Sequence, residues 1–316
     1  MRIMIVGAGS LGLLFAAMLS SRCEQMTVVT RTDKQAVALC EEGIGITGNE
    51  QRYFHTNNGR IEYDYYIEGT DSAERLPMSN PDYIFLMVKQ TAITPKLIAF
   101  LNANMSPQTL VVCFQNGIGH EEKLAKQLGW ARLLFAVTTE GARKEGLTTV
   151  SHTGNGVTYI GTAAQGQEIV EAQHFLLAKQ LEEAGFRTKV SKNMETRIWN
   201  KLIINAVINP LSAILRVPNG KLLQSSWSRT LMHALYCEAA QVAKAKCVPI
   251  EDDLWDTIIK VCEATSQNHS SMLQDILKSR YTEIDYMNGS LLEIARELGI
   301  ELSTHATVYQ LVKALE

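Results

Sequence analysis

The first half of the chain alternates short apolar runs with amphipathic stretches. Residues 2–6, 26–30, 83–88, 109–114 and 133–138 read as strands, and several are separated by helical patterns. That alternation predicts βαβ units and a parallel sheet. Two shorter strand candidates follow at 148–152 and 157–161, and Gly154, Gly156 and Gly161 flank the second, which suits a hairpin. A helix near 169–184 ends at Gly185. Beyond about Val190 the period changes: 198–215, 228–246, 252–269 and 291–298 carry apolar residues at helical spacing. The expected fold is α/β, with a Rossmann-type dinucleotide-binding domain over residues 1–190 and an all-helical domain over 191–316. A chain of 316 residues also exceeds the size at which a single core stops growing.

Composition changes little in this picture. The chain is 46% hydrophobic and 20% charged, with a formal net charge of -3. Its basic residues are scattered, so no nucleic-acid-binding face is expected, and no lysine-rich amphipathic stretch points to a membrane. Six cysteines lie far apart without a CxxC pair, and no histidine stands four residues from another. Reduced thiols in a cytoplasmic protein and no metal site are the expectation. Arg2 and the apolar run after it superficially fit a secretion signal, but Gly7, Gly9 and Gly12 interrupt the run.

Those glycines are the first candidate chemistry. Ile3-Met4-Ile5-Val6 reads as a buried strand, followed by Gly7-Ala8-Gly9-Ser10-Leu11-Gly12 and then a helical pattern. Gly7 allows a tight turn, Gly9 lets backbone N–H groups approach a pyrophosphate, and Gly12 lets helix and strand pack closely. The strand that follows ends in Arg31, where an acidic residue would bind the ribose hydroxyl of NAD. A guanidinium matches a 2′-phosphate instead, so NADP(H) is the expected cofactor. Lys89 and Asn116 stand at two further strand ends, the edge where ligands bind in open sheets.

In the second half, Lys201, Asn205 and Asn209 fall four residues apart, one cation and two amides along one helix face. The residues between them are apolar, so the stripe implies buried polar groups that need partners. Pro210 is expected to kink that helix or to end its regular hydrogen bonding. Further on come Ser270-Ser271-Met272-Leu273-Gln274-Asp275 and Thr282-Glu283-Ile284-Asp285. A lysine, carboxylates, amides and serines suit a small polar oxo acid.

The sequence resembles the ketopantoate reductases nearly end to end. The resemblance runs through GAGSLG at 7–12, VKQ at 88–90, QNG at 115–117, NGVTYIG at 155–161 and WNKLIINAVINPLSAI at 199–214. It continues through PNG at 218–220, SSMLQDI at 270–276 and TEIDYMNG at 282–289. One departure is Gly299-Ile300-Glu301-Leu302-Ser303, where the family often carries a proline. The resemblance implies that Lys201 is the general acid and that Asn205, Asn209, Asn219 and Ser271 bind ketopantoate. It places Glu283 beside substrate and nicotinamide, and Lys89, Asn116 and Ala142 along the cofactor. Lys201 would also contact the substrate. Other readings are a paralogue acting on another branched 2-oxo acid and a catalytically silent NADPH sensor. Glycerol-phosphate and hydroxyacid dehydrogenases share the general layout. Monomer and homodimer both remain open at this point.

Overall fold

The structure, a computed structural model, describes residues 1–47, 52–54, 61–65, 80–162 and 171–316. It divides into two compact units: residues 1–115 with 120–194, and residues 116–119 with 195–316. Residues 116–119, inside the stretch read as the first domain, thus pack with the second.

In chain order the first unit holds β1 (Arg2–Val6), α1 (Ser10–Leu19), β2 (Gln25–Thr30), α2 (Asp33–Glu42), β3 (Ile44–Thr47), β4 (Arg52–Phe54), β5 (Ile61–Tyr65) and β6 (Tyr83–Leu86). Then come α3 (Pro95–Ala103), β7 (Leu110–Cys113), α4 (His120–Leu128), β8 (Leu133–Thr138), β9 (Gly141–Lys144), β10 (Thr149–Gly154), β11 (Thr158–Gly161), α5 (Glu171–Glu183) and β12 (Thr188–Val190). Among the described residues the main sheet has eight strands in the order β12-β11-β8-β7-β6-β1-β2-β5. From β5 to β8 all pairings are parallel, and β11 is antiparallel to β8. Counted by their sequence rank within this sheet, β5-β2-β1-β6-β7-β8 is the order 3-2-1-4-5-6 of a doubly wound dinucleotide fold. The switch point lies between β1 and β6.

The expected hairpin of 148–152 with 157–161 does not form. β10 joins a second sheet of order β4-β3-β10-β9, antiparallel to β9, while β11 pairs with β8 and β12 in the main sheet. Gly156 is the reason for a glycine between them: a Cβ there would lie 2.2 Å from the Thr139 carbonyl carbon, so the chain crosses another backbone instead of turning. The second sheet lies against α1, whose other face packs on the main sheet. A helix covered on both sides must be apolar all round. Leu13, Leu14, Phe15, Ala16, Ala17 and Leu19 are accordingly all fully buried. Phe15 stacks on Phe186 at 4.0 Å between ring centroids and meets Phe114 edge-on at 5.0 Å.

The described elements of the second unit are all helical: α6 (Met194–Leu215), α7 (Ser226–Ala245), α8 (Leu254–Ala264), α9 (Ser271–Leu277), α10 (Asn288–Glu297) and α11 (Ser303–Leu315), with 3-10 turns at Asn219–Gln224 and Ile284–Tyr286. α6 is the central element. Trp199, Leu202, Ile203, Ala206, Val207 and Leu211 are buried against apolar residues of the helices around it. α6 is long and apolar enough to cross a membrane by length and composition, but two-thirds of that window is buried, as in a core helix. Pro210 does not end α6, which continues to Leu215.

Candidate active site

The glycine loop sits at the carboxyl end of β1, beside the loop that leaves β6. Gly7 has φ +113°, a conformation that L side chains rarely adopt, and a Cβ there would lie 2.8 Å from the Met87 carbonyl. A Cβ on Gly12 would fall 1.8 Å from the Gly7 oxygen. Gly9 is the opposite case. It is exposed, and among the described residues its Cβ direction meets nothing within 4 Å and no side chain caps the start of α1. No acidic residue stands in the first turn of α1. An uncapped helix start with open space in front presents backbone N–H groups and a positive dipole end to an anion. By contrast, α2 is capped by Thr32 and α3 by Thr94. The loop therefore fits a dinucleotide pyrophosphate.

Side chains that the sequence did not point to hold this loop. Gln35, buried on α2, donates from Nε2 to the Ala8 carbonyl and to the Leu147 carbonyl, both at 2.9 Å. Lys144 on β9 donates from Nζ to the same Ala8 oxygen at 3.0 Å, and its backbone N–H donates to Ser10 Oγ at 3.0 Å. Ala142 lies on that strand, two residues from Lys144, partly buried against the core. Leu11 packs there too. Arg31 follows β2 and is exposed, and the Gly7 N–H bonds to the Val29 carbonyl of the same strand at 2.9 Å. Lys89 stands after β6, half-buried, at the start of a 3-10 turn. Gln115 spans this exit, donating from Nε2 to the carbonyls of Leu86 and Val88 at 2.8 and 2.9 Å.

The second unit gathers the remaining candidates. Asn116 belongs to it through residues 116–119, where the Ile118 N–H bonds to the Tyr286 carbonyl at 3.2 Å. Lys201, Asn205 and Asn209 lie along one face of α6; the first two are half-buried and Asn209 is buried. Burial pushes the Lys201 ammonium down from its ordinary 10.5 to about 8, and the negative charge of Glu283 pulls it back upward. Glu283 is buried at the start of the 3-10 turn. Thr282, just before it, donates from its backbone N–H and from Oγ1 to Glu316 Oε1 at 2.8 and 2.7 Å. The turn bearing Glu283 is thus tied down through the residue just before it.

Asn219 is buried. It donates from Nδ2 to Thr265 Oγ1 at 2.9 Å, while its Oδ1 is a buried acceptor with no partner among the described residues. Such an acceptor is costly unless something donates to it. Ser271 is exposed in the first turn of α9, whose cap is its neighbour Ser270. Ser270 Oγ accepts from the Leu273 N–H at 3.0 Å and lies 2.6 Å from Ser212 Oγ, which is itself 3.0 Å from the Asn209 carbonyl. The serine pair fastens the start of α9 to the Asn209 turn of α6. Among the described residues no group of histidines, cysteines or carboxylates could hold a metal ion.

Two family models match the chain. One, described as ketopantoate reductase PanE/ApbA, covers residues 3–165, and its C-terminal counterpart covers residues 193–316. The chain belongs to the ketopantoate reductase family. Among its relatives, the 2-dehydropantoate 2-reductase of Archaeoglobus fulgidus is 32% identical over 318 residues, covering 100% of this chain and 98% of that protein. The enzyme of the same name from Pyrococcus abyssi is 30% identical over 317 residues, with the same coverage. Two solved structures align over 100% of the chain. A D-mandelate dehydrogenase with NADH and anilino(oxo)acetate does so at TM-score 0.86, 25% identity and 98% coverage of that chain. A probable 2-dehydropantoate 2-reductase from Bacillus subtilis does so at TM-score 0.77, 29% identity and 100% coverage. A Rossmann-type unit followed by a helical unit is the architecture expected from the sequence.

Proposed function

We propose that this chain is an NADPH-dependent oxidoreductase that reduces 2-dehydropantoate (ketopantoate) to (R)-pantoate, a step of pantothenate and coenzyme A biosynthesis. The observation that carries the reading is Lys201. A lysine held near pKa 8 by burial, on a helix face with Asn205 and Asn209, is suited to giving a proton near neutral pH. The family membership supplies the substrate class.

Bound NADPH supplies the hydride that reaches the 2-oxo carbon. The chain's own part starts with the glycine loop: Gly7, Ala8, Gly9, Ser10, Leu11 and Gly12 seat the pyrophosphate at the start of α1. Arg31 pairs with the 2′-phosphate, and Lys89, Asn116 and Ala142 line the dinucleotide, with Glu283 at its nicotinamide end. Lys201 contacts the 2-oxo group and donates a proton from Nζ to its oxygen as charge develops there. Glu283 keeps that ammonium charged until the transfer. Asn205, Asn209 and Ser271 orient the substrate, and the Oδ1 of Asn219, which has no partner among the described residues, accepts from its hydroxyl. The protein works in the cytoplasm on a small molecule, as a monomer or homodimer, without nucleic acid or membrane.

A second reading is favoured by one observation. The D-mandelate dehydrogenase whose fold matches at TM-score 0.86 holds NADH, so the same frame also serves another 2-oxo acid and the unphosphorylated cofactor. The deciding assay measures NADPH and NADH oxidation with ketopantoate, phenylglyoxylate and branched 2-oxo acids. Ketopantoate with NADPH is expected to give the highest kcat/KM. A clear preference for another acid selects the second reading, and no turnover of any acid selects a silent NADPH sensor.

A further inference from the structure

Pro210 lies inside α6, five residues before its end. A proline has no N–H, so the carbonyl four residues earlier, that of Ala206, loses its helical donor. Ala206 is fully buried, where a carbonyl without a donor is costly. The missing donor comes from another helix. Asn288, the first residue of α10 and fully buried, donates from Nδ2 to the Ala206 oxygen at 3.0 Å.

The orientation of that amide is fixed. Its Nδ2 also lies 3.0 Å from His305 Nδ1, and His305 Nε2 lies 3.0 Å from the Leu235 carbonyl. A carbonyl only accepts, so Nε2 carries the imidazole proton and Nδ1 is the acceptor for Asn288. Turning the amide over would set its oxygen against the Ala206 oxygen, which excludes the flip. His305 is fully buried and held from its backbone: Glu238 accepts from the N–H groups of Thr304 and His305 through its two oxygens, each at 2.9 Å. The residue before Asn288 touches the same turn of α6, with Met287 Sδ 3.9 Å from Asn209 Nδ2.

The freed carbonyl therefore belongs to the turn between Asn205 and Asn209. We propose that Asn288, set by His305, is a positioning residue for substrate: it replaces the hydrogen bond that Pro210 removes and so fixes the directions of the Asn205 and Asn209 amides. The inference rests on the reading of those two asparagines as substrate contacts. Asn288 itself touches no substrate.

The test compares steady-state kinetics of the wild type, Asn209→Ala, Asn288→Leu, Pro210→Ala and the Pro210→Ala/Asn288→Leu double variant. Leucine keeps the branching of Asn288 at Cγ and removes its donors. Alanine at 210 returns a backbone N–H to the Ala206 carbonyl, which makes Asn288 dispensable there. Asn288→Leu is expected to raise KM for the 2-oxo acid at least tenfold, with kcat falling less and the dinucleotide Kd unchanged within twofold. The double variant is expected within threefold of Pro210→Ala alone. An unchanged KM in folded Asn288→Leu overturns the inference, and so does a double variant no better than Asn288→Leu. Should Asn288→Leu not fold, the double variant against Pro210→Ala still decides: equal KM supports the inference, and a tenfold gap overturns it. Asn209→Ala separates the two claims. An unchanged KM there defeats the substrate-contact reading itself, whereas a raised KM there with an unchanged KM in Asn288→Leu defeats only the positioning role.

Discussion

The Lys201 ammonium makes the sharpest prediction, because one displaced ionisation has to show in activity and in stability at once. Its pKa of about 8, against an ordinary 10.5, means that the folded surroundings, burial outweighing Glu283, disfavour the charged form by at most roughly 3 kcal/mol at about 1.4 kcal/mol per pH unit. As proton donor in the reducing direction, Lys201 must be charged, so kcat/KM should be level below pH 8 and fall tenfold per unit above it. By pH 10 the loss is roughly a hundredfold. Glu283 pulls the ionisation upward, so Glu283→Gln should move the break to lower pH. Stability should go the other way. The folded pKa lies below the unfolded one, so between about 8 and 10.5 the unfolded chain binds more protons and the folded state gains as pH rises. Below pH 8 both states are charged and the penalty stays constant. Subtracting the denaturation free energies of Lys201→Met from those of the wild type across this window cancels the other groups, and the difference should climb by at most about 3 kcal/mol. The side chain is partly exposed, so that value is a ceiling. Activity flat to pH 10, or a break at the same pH in Glu283→Gln, would refute the assignment.

Three further outcomes test the cofactor seat. Gly12→Ala forces a Cβ to within 1.8 Å of the Gly7 oxygen, and no rotamer relieves it, so dinucleotide affinity by fluorescence titration should fall more than about a hundredfold; binding like the wild type contradicts the close packing. Gln35→Leu removes one donor from the Ala8 carbonyl and the partner of the Leu147 carbonyl, so denaturant titration should show a loss of about 1–3 kcal/mol together with a several-fold weaker dinucleotide, and an unchanged Kd removes its role in the loop. Arg31→Ala should weaken NADPH at least tenfold, about 1.4 kcal/mol, and leave NADH within twofold, whereas equal losses take away the basis for the phosphorylated cofactor.

What the sequence makes legible is whatever local chemistry dictates. The glycine loop can be read because a tight turn, an open helix start and a close strand–helix contact each demand glycine within six residues. The α6 stripe can be read because polar residues at every fourth position among isoleucines and valines mark a polar line set into an otherwise apolar core helix. β3, β4, β5 and β9 are not legible because they owe their existence to partners elsewhere: β3 pairs with β10 a hundred residues on. The expected hairpin fails for a related reason, since Gly156 answers to the backbone at Thr139 and not to a turn. Ser270 is visible in the sequence only as part of a polar run. Its task, capping α9 while reaching Ser212, emerges once α6 and α9 are adjacent.

Gln35, Gln115 and Asn288 share a further logic that no local pattern reveals. Each is a primary amide placed where the backbone leaves regular structure beside a candidate site, and each directs one nitrogen at two acceptors. Gln35 joins the Ala8 and Leu147 carbonyls, Gln115 joins those of Leu86 and Val88, and Asn288 joins the Ala206 carbonyl to His305. A glycine turn, a strand exit and a proline inside a helix all strand carbonyl oxygens. A carboxylate could not serve them, since it only accepts, and a hydroxyl has a single proton. A lysine can donate too, as Lys144 does to the Ala8 carbonyl, but each one adds a charge to the site. An amide is neutral and offers two protons in one plane, so it can satisfy two carbonyls without altering the field at Lys201 or at the pyrophosphate seat. Substituting glutamate at 35 or 115, or aspartate at 288, should for this reason be worse than its small change in shape suggests, because it sets a negative charge against carbonyl oxygens that need a donor.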